Sequence, residues 1–157
     1  MPDWLLWGVV VWLHVLAAIT WVGGMIFIAA VLAPVWRGLE PPLRQRLTQS
    51  VGPAARSLSW FAIVLLVMTG ILNVIHLHPS WDSLTGRLLA AKLTLVAVVL
   101  MVSAAHDFWL GPRLSSMRQA GAITEATPLA RAVPLIARVN LALALAIVFL
   151  AVLLARS

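Results

Sequence analysis

The fold of this chain is decided by the stretch Trp12-Leu-His14-Val-Leu-Ala17-Ala18-Ile-Thr-Trp21-Val-Gly23-Gly24-Met25, which places one imidazole inside a run suited to lipid. That run continues for about 29 mostly apolar residues, enough to cross a bilayer as a helix. Ionisable side chains within a membrane are costly and usually face the interior of a helix bundle. The sequence therefore indicates a membrane bundle with a polar site around His14.

The composition places the chain among integral membrane proteins. Of its 157 residues, 62% are hydrophobic and 10% are charged, whereas soluble domains are about half apolar and a quarter charged. The sequence contains no cysteine, which excludes disulfides, thiolate metal sites and iron–sulfur clusters. The net charge of +6 comes from basic residues spread between apolar segments. That spacing is a topology signal, so we expect no nucleic-acid partner.

Several stretches are apolar enough to cross a hydrocarbon core of about 30 Å, which needs roughly 20 helical residues. We predict these spans at residues 5–33, 58–77, 86–110 and 133–155. They predict an all-α membrane protein in which a single domain, residues 1–157, forms an antiparallel bundle of four transmembrane helices. Helix breakers lie at the ends of the spans: Pro34, Pro79, Gly111-Pro112 and Pro134.

Arginines concentrate in the long first and third connections between the predicted spans. The short second connection and the two termini hold only Arg87 and Arg156. The positive-inside rule therefore places both long connections in the cytoplasm and both termini on the outer, periplasmic side of a bacterial-type inner membrane. The arginines of the long connections are Arg37, Arg44, Arg46 and Arg56 in the first, and Arg113, Arg118, Arg131 and Arg138 in the third.

Two short patterns could mediate contacts with the lipid surface or with a second copy of the chain. Leu43, Leu47 and Val51 recur at four-residue spacing among arginines, which fits an amphipathic helix on the lipid surface as well as a solvated basic loop. The pair Gly23-Gly24 offers a face through which two copies could form a homodimer.

Five polar side chains are predicted to lie in the outer half of the membrane. At about 1.5 Å of rise per residue, His14 lies roughly 10 Å below the outer interface, and Lys92 reaches a similar depth. Asn73 and His76 share one face near the outer end of the second helix, and Arg87 lies at the start of the third. We expect these side chains to converge on one site. Lys92 and Arg87 would then snorkel outward or pair with haem propionates or a substrate carboxylate.

His14 is open to two interpretations. A neutral imidazole can form a hydrogen bond between helices, or it can bind haem iron or another metal. Ala17, Ala18 and Gly24 would leave room beside it for a flat macrocycle. In the haem interpretation, we predict that His76 is the second axial ligand.

Copper is the alternative to haem. His76 and His78 could form an outward-facing copper or zinc site with Asp82, although a His-x-His motif is weak evidence. Thioether sulfur is a soft ligand for Cu(I), but methionine in a bilayer is more often a packing residue. The methionines within the predicted spans are Met25, Met68 and Met101.

One stripe of the third predicted helix is expected to face the bundle interior. Lys92, Val96, Val99, Ser103 and His106 recur at helical spacing. The stripe could carry a proton or an electron, or it could be an ordinary packed face. His106 lies about 15 to 20 Å deeper than His14, so we assign the two histidines to different sites.

Three segments resemble those of a known family. They are Trp12-Leu-His14-Val-Leu-Ala-Ala-Ile-Thr-Trp21-Val-Gly-Gly, Thr69-Gly70-Ile-Leu-Asn73 and Gly86-Arg87-Leu-Leu-Ala-Ala-Lys92-Leu-Thr. The chain resembles the copper-resistance D (CopD)-like membrane proteins and the HemJ-type protoporphyrinogen oxidases, which are four-helix proteins with a b-type haem. The resemblance implies that His14 is associated with haem, and it matches Lys92 to the lysine of the third helix and His106 to a histidine near the end of that helix. Ala18 stands four residues after His14, where the HemJ-type pattern has a methionine. Haem ligation by that pair therefore does not transfer to this chain, and the resemblance does not establish oxidase activity.

These observations predict an inner-membrane haem b protein that exchanges electrons with a quinone or acts on a small substrate, a possible haem-dependent oxidoreductase. The alternatives are a copper-handling or transport protein without enzymatic activity, and a cofactor-free assembly partner. The candidate haem-binding residues are His14, Asn73, His76, Arg87, Lys92 and His106, with His14 and His76 on the iron.

Overall fold

A computed structural model describes residues 2–119 and 128–156, and all regular structure within them is helical. The helices are α1 (Asp3–Phe27), α2 (Ala33–Gly38), α3 (Pro41–Leu77), α4 (Leu84–Ala104), α5 (Gly111–Gln119) and α6 (Pro128–Leu154). Two π-helical segments, Ile28–Leu32 and Ala105–Leu110, join α1 to α2 and α4 to α5.

Four helical stretches in the described residues are long and apolar enough to cross a membrane. They are Asp3–Gly38, Pro41–Leu77, Leu84–Met117 and Ala132–Leu154. The prediction of an all-α membrane protein with four transmembrane helices is confirmed. The outward orientation of the termini stays a prediction.

The prediction of a loop after Pro34 was wrong, because the polar, basic residues there are helical. Residues 43–51 are helical, as in the alternative interpretation, and their position on the lipid surface stays a prediction. Only Leu39 and Glu40 separate α2 from α3. Pro34 follows the π segment within the continuous helical stretch Asp3–Gly38. Pro41 stands in the first turn of α3, where its missing N–H is not needed. At about 1.5 Å per residue the 37 residues of α3 span roughly 55 Å, so the helix is longer than the hydrocarbon core.

The third and fourth spans also differ from prediction at their ends. Gly111 and Pro112 do not end the third span, because the second π segment continues it into α5. Pro134 lies inside α6, which begins at Pro128. The rest of the predicted third connection, residues 120–127, lies outside the described residues, as do the side chains of Arg118 and Arg131.

The chain divides into two compact units, Met1–Pro79 and Ser80–Ser157. In the first unit α1 packs antiparallel to α3, and in the second α4 packs against α6. The buried residues are mostly small or β-branched, which lets helix backbones approach closely. They include Ala17, Val22, Ala62 and Ile63 in the first unit, and Val99, Ser103, Asn140 and Ala144 in the second. One domain over residues 1–157 stays a prediction.

A tight turn precedes α4. The Ser83 hydroxyl caps the helix by accepting from the Gly86 N–H at 3.0 Å, and it donates to the Ser80 carbonyl at 2.6 Å. A Cβ atom on Gly86 would lie 2.7 Å from the Cα of Trp81. This close approach of two backbones requires glycine at position 86.

Candidate functional site

The His14 ring contacts the Thr69 hydroxyl on α3. The His14 Nδ1 and Thr69 Oγ1 atoms are 2.8 Å apart, and Thr69 is 4% exposed. Thr69 Oγ1 also lies 2.6 Å from the Leu65 carbonyl oxygen. A hydroxyl has one proton, and a carbonyl can only accept, so the hydroxyl donates to Leu65. Thr69 must then accept from the Nδ1–H of His14.

This arrangement fixes the tautomer of a neutral His14. With the proton on Nδ1, the lone pair is on Nε2. Metal-binding histidines usually donate their second ring N–H to a neighbouring acceptor, which sets the orientation of the ring and the position of the lone pair. Thr69 gives His14 that type of support.

Gly70 provides the space for the His14 ring. A Cβ atom at position 70 would lie 3.3 Å from the His14 Cε1 atom, tighter than an ordinary van der Waals contact. The adjacent residues Thr69 and Gly70 therefore hold the imidazole by a hydrogen bond and by close packing.

His76 lies farther along the same helix pair. Its ring stacks on Trp7 of α1, with centroids 3.6 Å apart and planes 23° apart. Trp7 precedes His14 by seven residues, and His76 follows Thr69 by seven, so the two histidines are roughly 10 Å apart along the helices. Each ring contacts a different partner, and the first unit does not bring the two histidines together. Asn73 lies between their levels on α3 and is half-buried.

The predicted outer metal site involves exposed residues at the end of α3 and just beyond it. His78 caps α3 with a left-handed backbone, φ 43°, and its side chain is exposed. Asp82 is exposed in the turn before α4. Among residues 2–119 and 128–156, no group of three or more His, Cys, Asp or Glu side chains is placed to hold a metal ion. An outer site at His76, His78 and Asp82 stays a prediction.

The predicted stripe of α4 does face its neighbour in the second unit. Val99 is fully buried and Ser103 is 7% exposed, while Lys92 is half-buried and Arg87 is exposed. The inward orientation of Val99 and Ser103 is confirmed. Convergence of Lys92 and Arg87 with His14 stays a prediction.

The far end of α4 carries two polar pairs. Asn140 of α6 donates from Nδ2 to Ser103 Oγ at 2.9 Å. One turn farther along, His106 Nδ1 lies 2.9 Å from Asp107 Oδ1, with both side chains partly exposed. His106 thus pairs within its own unit, and its separation from the site of His14 stays a prediction.

Sequence reasoning missed Trp7, Thr69 and Asp107 as partners of the three histidines. Trp7 suits a membrane interface and Asp107 directly follows His106, so neither position indicated a partner. Thr69 was recognised only as part of a family motif. The available signal was the seven-residue spacing from Thr69 to His76, which equals the spacing from Trp7 to His14.

About two thirds of the chain is similar to known proteins. The family model described as "Copper resistance protein D" matches residues 54–154, about two thirds of the chain. An uncharacterized protein from Aquifex aeolicus (strain VF5) is 32% identical over 102 residues, covering 64% of this chain and 68% of that protein. No solved structure matches. The matched region holds Thr69, Gly70 and His76, and α1 with His14 precedes it. The likeness to HemJ-type proteins stays a prediction. With its four apolar helices, the chain is a multi-pass inner-membrane protein that belongs to the copper resistance protein D family.

Proposed function

We propose that this protein handles copper within the membrane and that His14 binds the ion through Nε2. The observation that carries the proposal is the chain of hydrogen bonds from His14 Nδ1 to Thr69 Oγ1 and on to the Leu65 carbonyl. It makes Nε2 the electron-pair donor of the neutral ring. The family description, copper resistance, supplies the identity of the metal.

The chemistry of the side chains suits a copper ion. Neutral imidazole is a good ligand for copper, and thioether sulfur is a soft ligand that selects Cu(I). Met25 follows His14 by eleven residues on the same helix, roughly 16 Å away at 1.5 Å per residue, so the two do not share one ion. Met68 is 60% exposed and precedes Thr69 in the chain. The proposal therefore assigns the central role to His14, without a methionine cluster.

Haem b is the second candidate, because haem iron requires the same imidazole tautomer as copper. One feature of the first unit weighs against it. Ala17, expected to leave room for a macrocycle, is 2% exposed where α1 packs against α3. Electron exchange with a quinone or small substrate belongs to this candidate, as would oxidoreductase activity.

Metal analysis of the detergent-purified protein tests both candidates. We expect colourless protein that binds Cu(I) in competition with a chromophoric chelator and loses that binding in the His14→Ala variant. His78→Ala is the matched control, since it removes an exposed imidazole from the same unit. Copper retained in His14→Ala and lost in His78→Ala would refute the assignment. Red protein whose Soret band disappears in His14→Ala would establish the haem candidate instead.

A further inference from the structure

The second unit contains a buried amide whose hydrogen bonding is incomplete. Asn140 is 8% exposed and its partner Ser103 is 7% exposed. The Asn140 Nδ2 atom donates to Ser103, but its buried Oδ1 atom has no hydrogen-bond partner among the described residues. A buried carbonyl oxygen without a donor is unfavourable, and hydrocarbon cannot supply one. A small ligand that donates a hydrogen bond would satisfy the Asn140 Oδ1 atom.

A polar route leads from this amide toward the end of the helix. The π segment Ala105–Leu110 begins two residues after Ser103 and contains the hydrogen-bonded pair His106 and Asp107. His106 and Asp107 follow Ser103 by three and four residues, so their side chains lie one helical turn from it on the same face. Their side chains are 30% and 25% exposed. Polar atoms thus continue from a partly exposed pair to a buried one over about 6 Å of helix.

The route is closed in the other direction. Val99 lies one turn beyond Ser103 and is fully buried, and Ala144 lies one turn beyond Asn140 and is 1% exposed. Both side chains are buried where α4 packs against α6. The polar neighbours of Asn140 therefore lie toward the π segment.

We propose that the second unit contains a blind water inlet that runs from His106 and Asp107 to Asn140. Its innermost water donates to Asn140 Oδ1 and contacts Ser103 Oγ. Buried waters occupy such sites because they satisfy polar groups that the protein leaves incomplete, and π segments frequently occur at functional sites. The inlet gives the interior of the helix pair contact with solvent, and hence with protons, up to the level of Ser103. It is independent of copper binding at His14.

The absence of native cysteine permits a direct test by single-cysteine labelling in membrane vesicles. Ser103→Cys keeps a small side chain in the inlet, and Met101→Cys is the control. Met101 is 64% exposed on the opposite side of α4 at almost the same depth. A charged methanethiosulfonate reacts with thiolate, which forms in water and not in hydrocarbon. We expect labelling of the Ser103→Cys variant to be at least ~10-fold faster.

A second substitution tests the role of the amide. Adding Asn140→Leu to Ser103→Cys should reduce labelling to the rate of Met101→Cys, because a leucine of similar size removes the acceptor. Equal rates for folded Ser103→Cys and Met101→Cys would overturn the inlet, and so would fast labelling that persists after Asn140→Leu. If Ser103→Cys does not fold, magnetisation transfer from water to the Asn140 side-chain amide protons of the nitrogen-15-labelled wild-type protein answers the same question, and its absence would overturn the inlet.

Discussion

Replacing Thr69 with valine would remove the acceptor that holds the His14 tautomer while nearly preserving side-chain shape. Thr69 is 4% exposed, and its hydroxyl accepts from His14 Nδ1 at 2.8 Å. In the variant, the Nδ1–H either remains unpaired or the proton moves to Nε2. Leaving a buried donor unsatisfied costs about 1–3 kcal/mol. Moving the proton to Nε2 removes the lone pair that binds the metal, so both outcomes weaken the site.

The expected loss of Cu(I) affinity is about 10- to 100-fold, the usual effect of removing the group that orients a metal-binding histidine. Chelator competition on purified protein measures this loss. Nitrogen-15 chemical shifts of labelled histidine measure the tautomer separately, and we expect the wild-type His14 signal to show a protonated Nδ1. Thermal unfolding measures stability, which should fall by about 1–3 kcal/mol in Thr69→Val.

Thr69→Ser is the matched control, because it keeps the hydroxyl and removes only a methyl group. We expect it to lose about 1 kcal/mol of stability from the missing methyl and to retain copper affinity. Copper binding as tight as wild type in folded Thr69→Val would refute this role of the Thr69 hydroxyl. An equal loss of affinity in Thr69→Ser would also refute it, since the effect would then come from packing.

Two further substitutions test the fold. Gly86→Ala should lower the melting temperature, because the alanine Cβ would lie 2.7 Å from the Trp81 Cα. This clash should outweigh the helix preference of alanine, about 1 kcal/mol. A higher melting temperature would contradict the close approach of the two backbones. His78→Gly should stabilise the protein by about 1 kcal/mol, because glycine adopts a left-handed conformation without steric cost and φ is 43°. His78→Ala, which keeps the Cβ, should not stabilise the protein, and equal gains in both variants would refute the backbone explanation.

The membrane spans could be predicted from the sequence, but the full helices could not. Hydropathy reports which residues suit hydrocarbon, so it located the spans and missed the polar residues by which the helices extend beyond them. Pro34, Pro53 and Pro134 all lie within helical stretches. In a first turn, as at Pro41, the missing N–H has no consequence. A proline therefore marks a break only when its position in the helix is already known.

The orientation of His14 was harder to predict than its importance. Its place in an apolar run was enough to single it out, but its partner Thr69 is an ordinary residue of a membrane helix. Threonine in such helices commonly bonds back to the carbonyl four residues earlier, as Thr69 does to Leu65. Nothing in the sequence shows that the same hydroxyl also accepts from another helix. That contact depends on the register between α1 and α3.

The two-residue connection at Leu39 and Glu40 is the feature that fixes this register. A predicted connection of about two dozen residues left α1 and α3 free to slide, and His14 could then be matched with His76 by depth alone. Because the connection is short, residues at similar distances from it along α1 and α3 lie opposite one another. Trp7 then meets His76, and His14, seven residues later in α1, meets Thr69, seven residues earlier in α3. The same register that gives His14 a supporting hydroxyl keeps His76 about 10 Å away. It therefore favours a site built on one histidine over a bis-histidine haem within this unit.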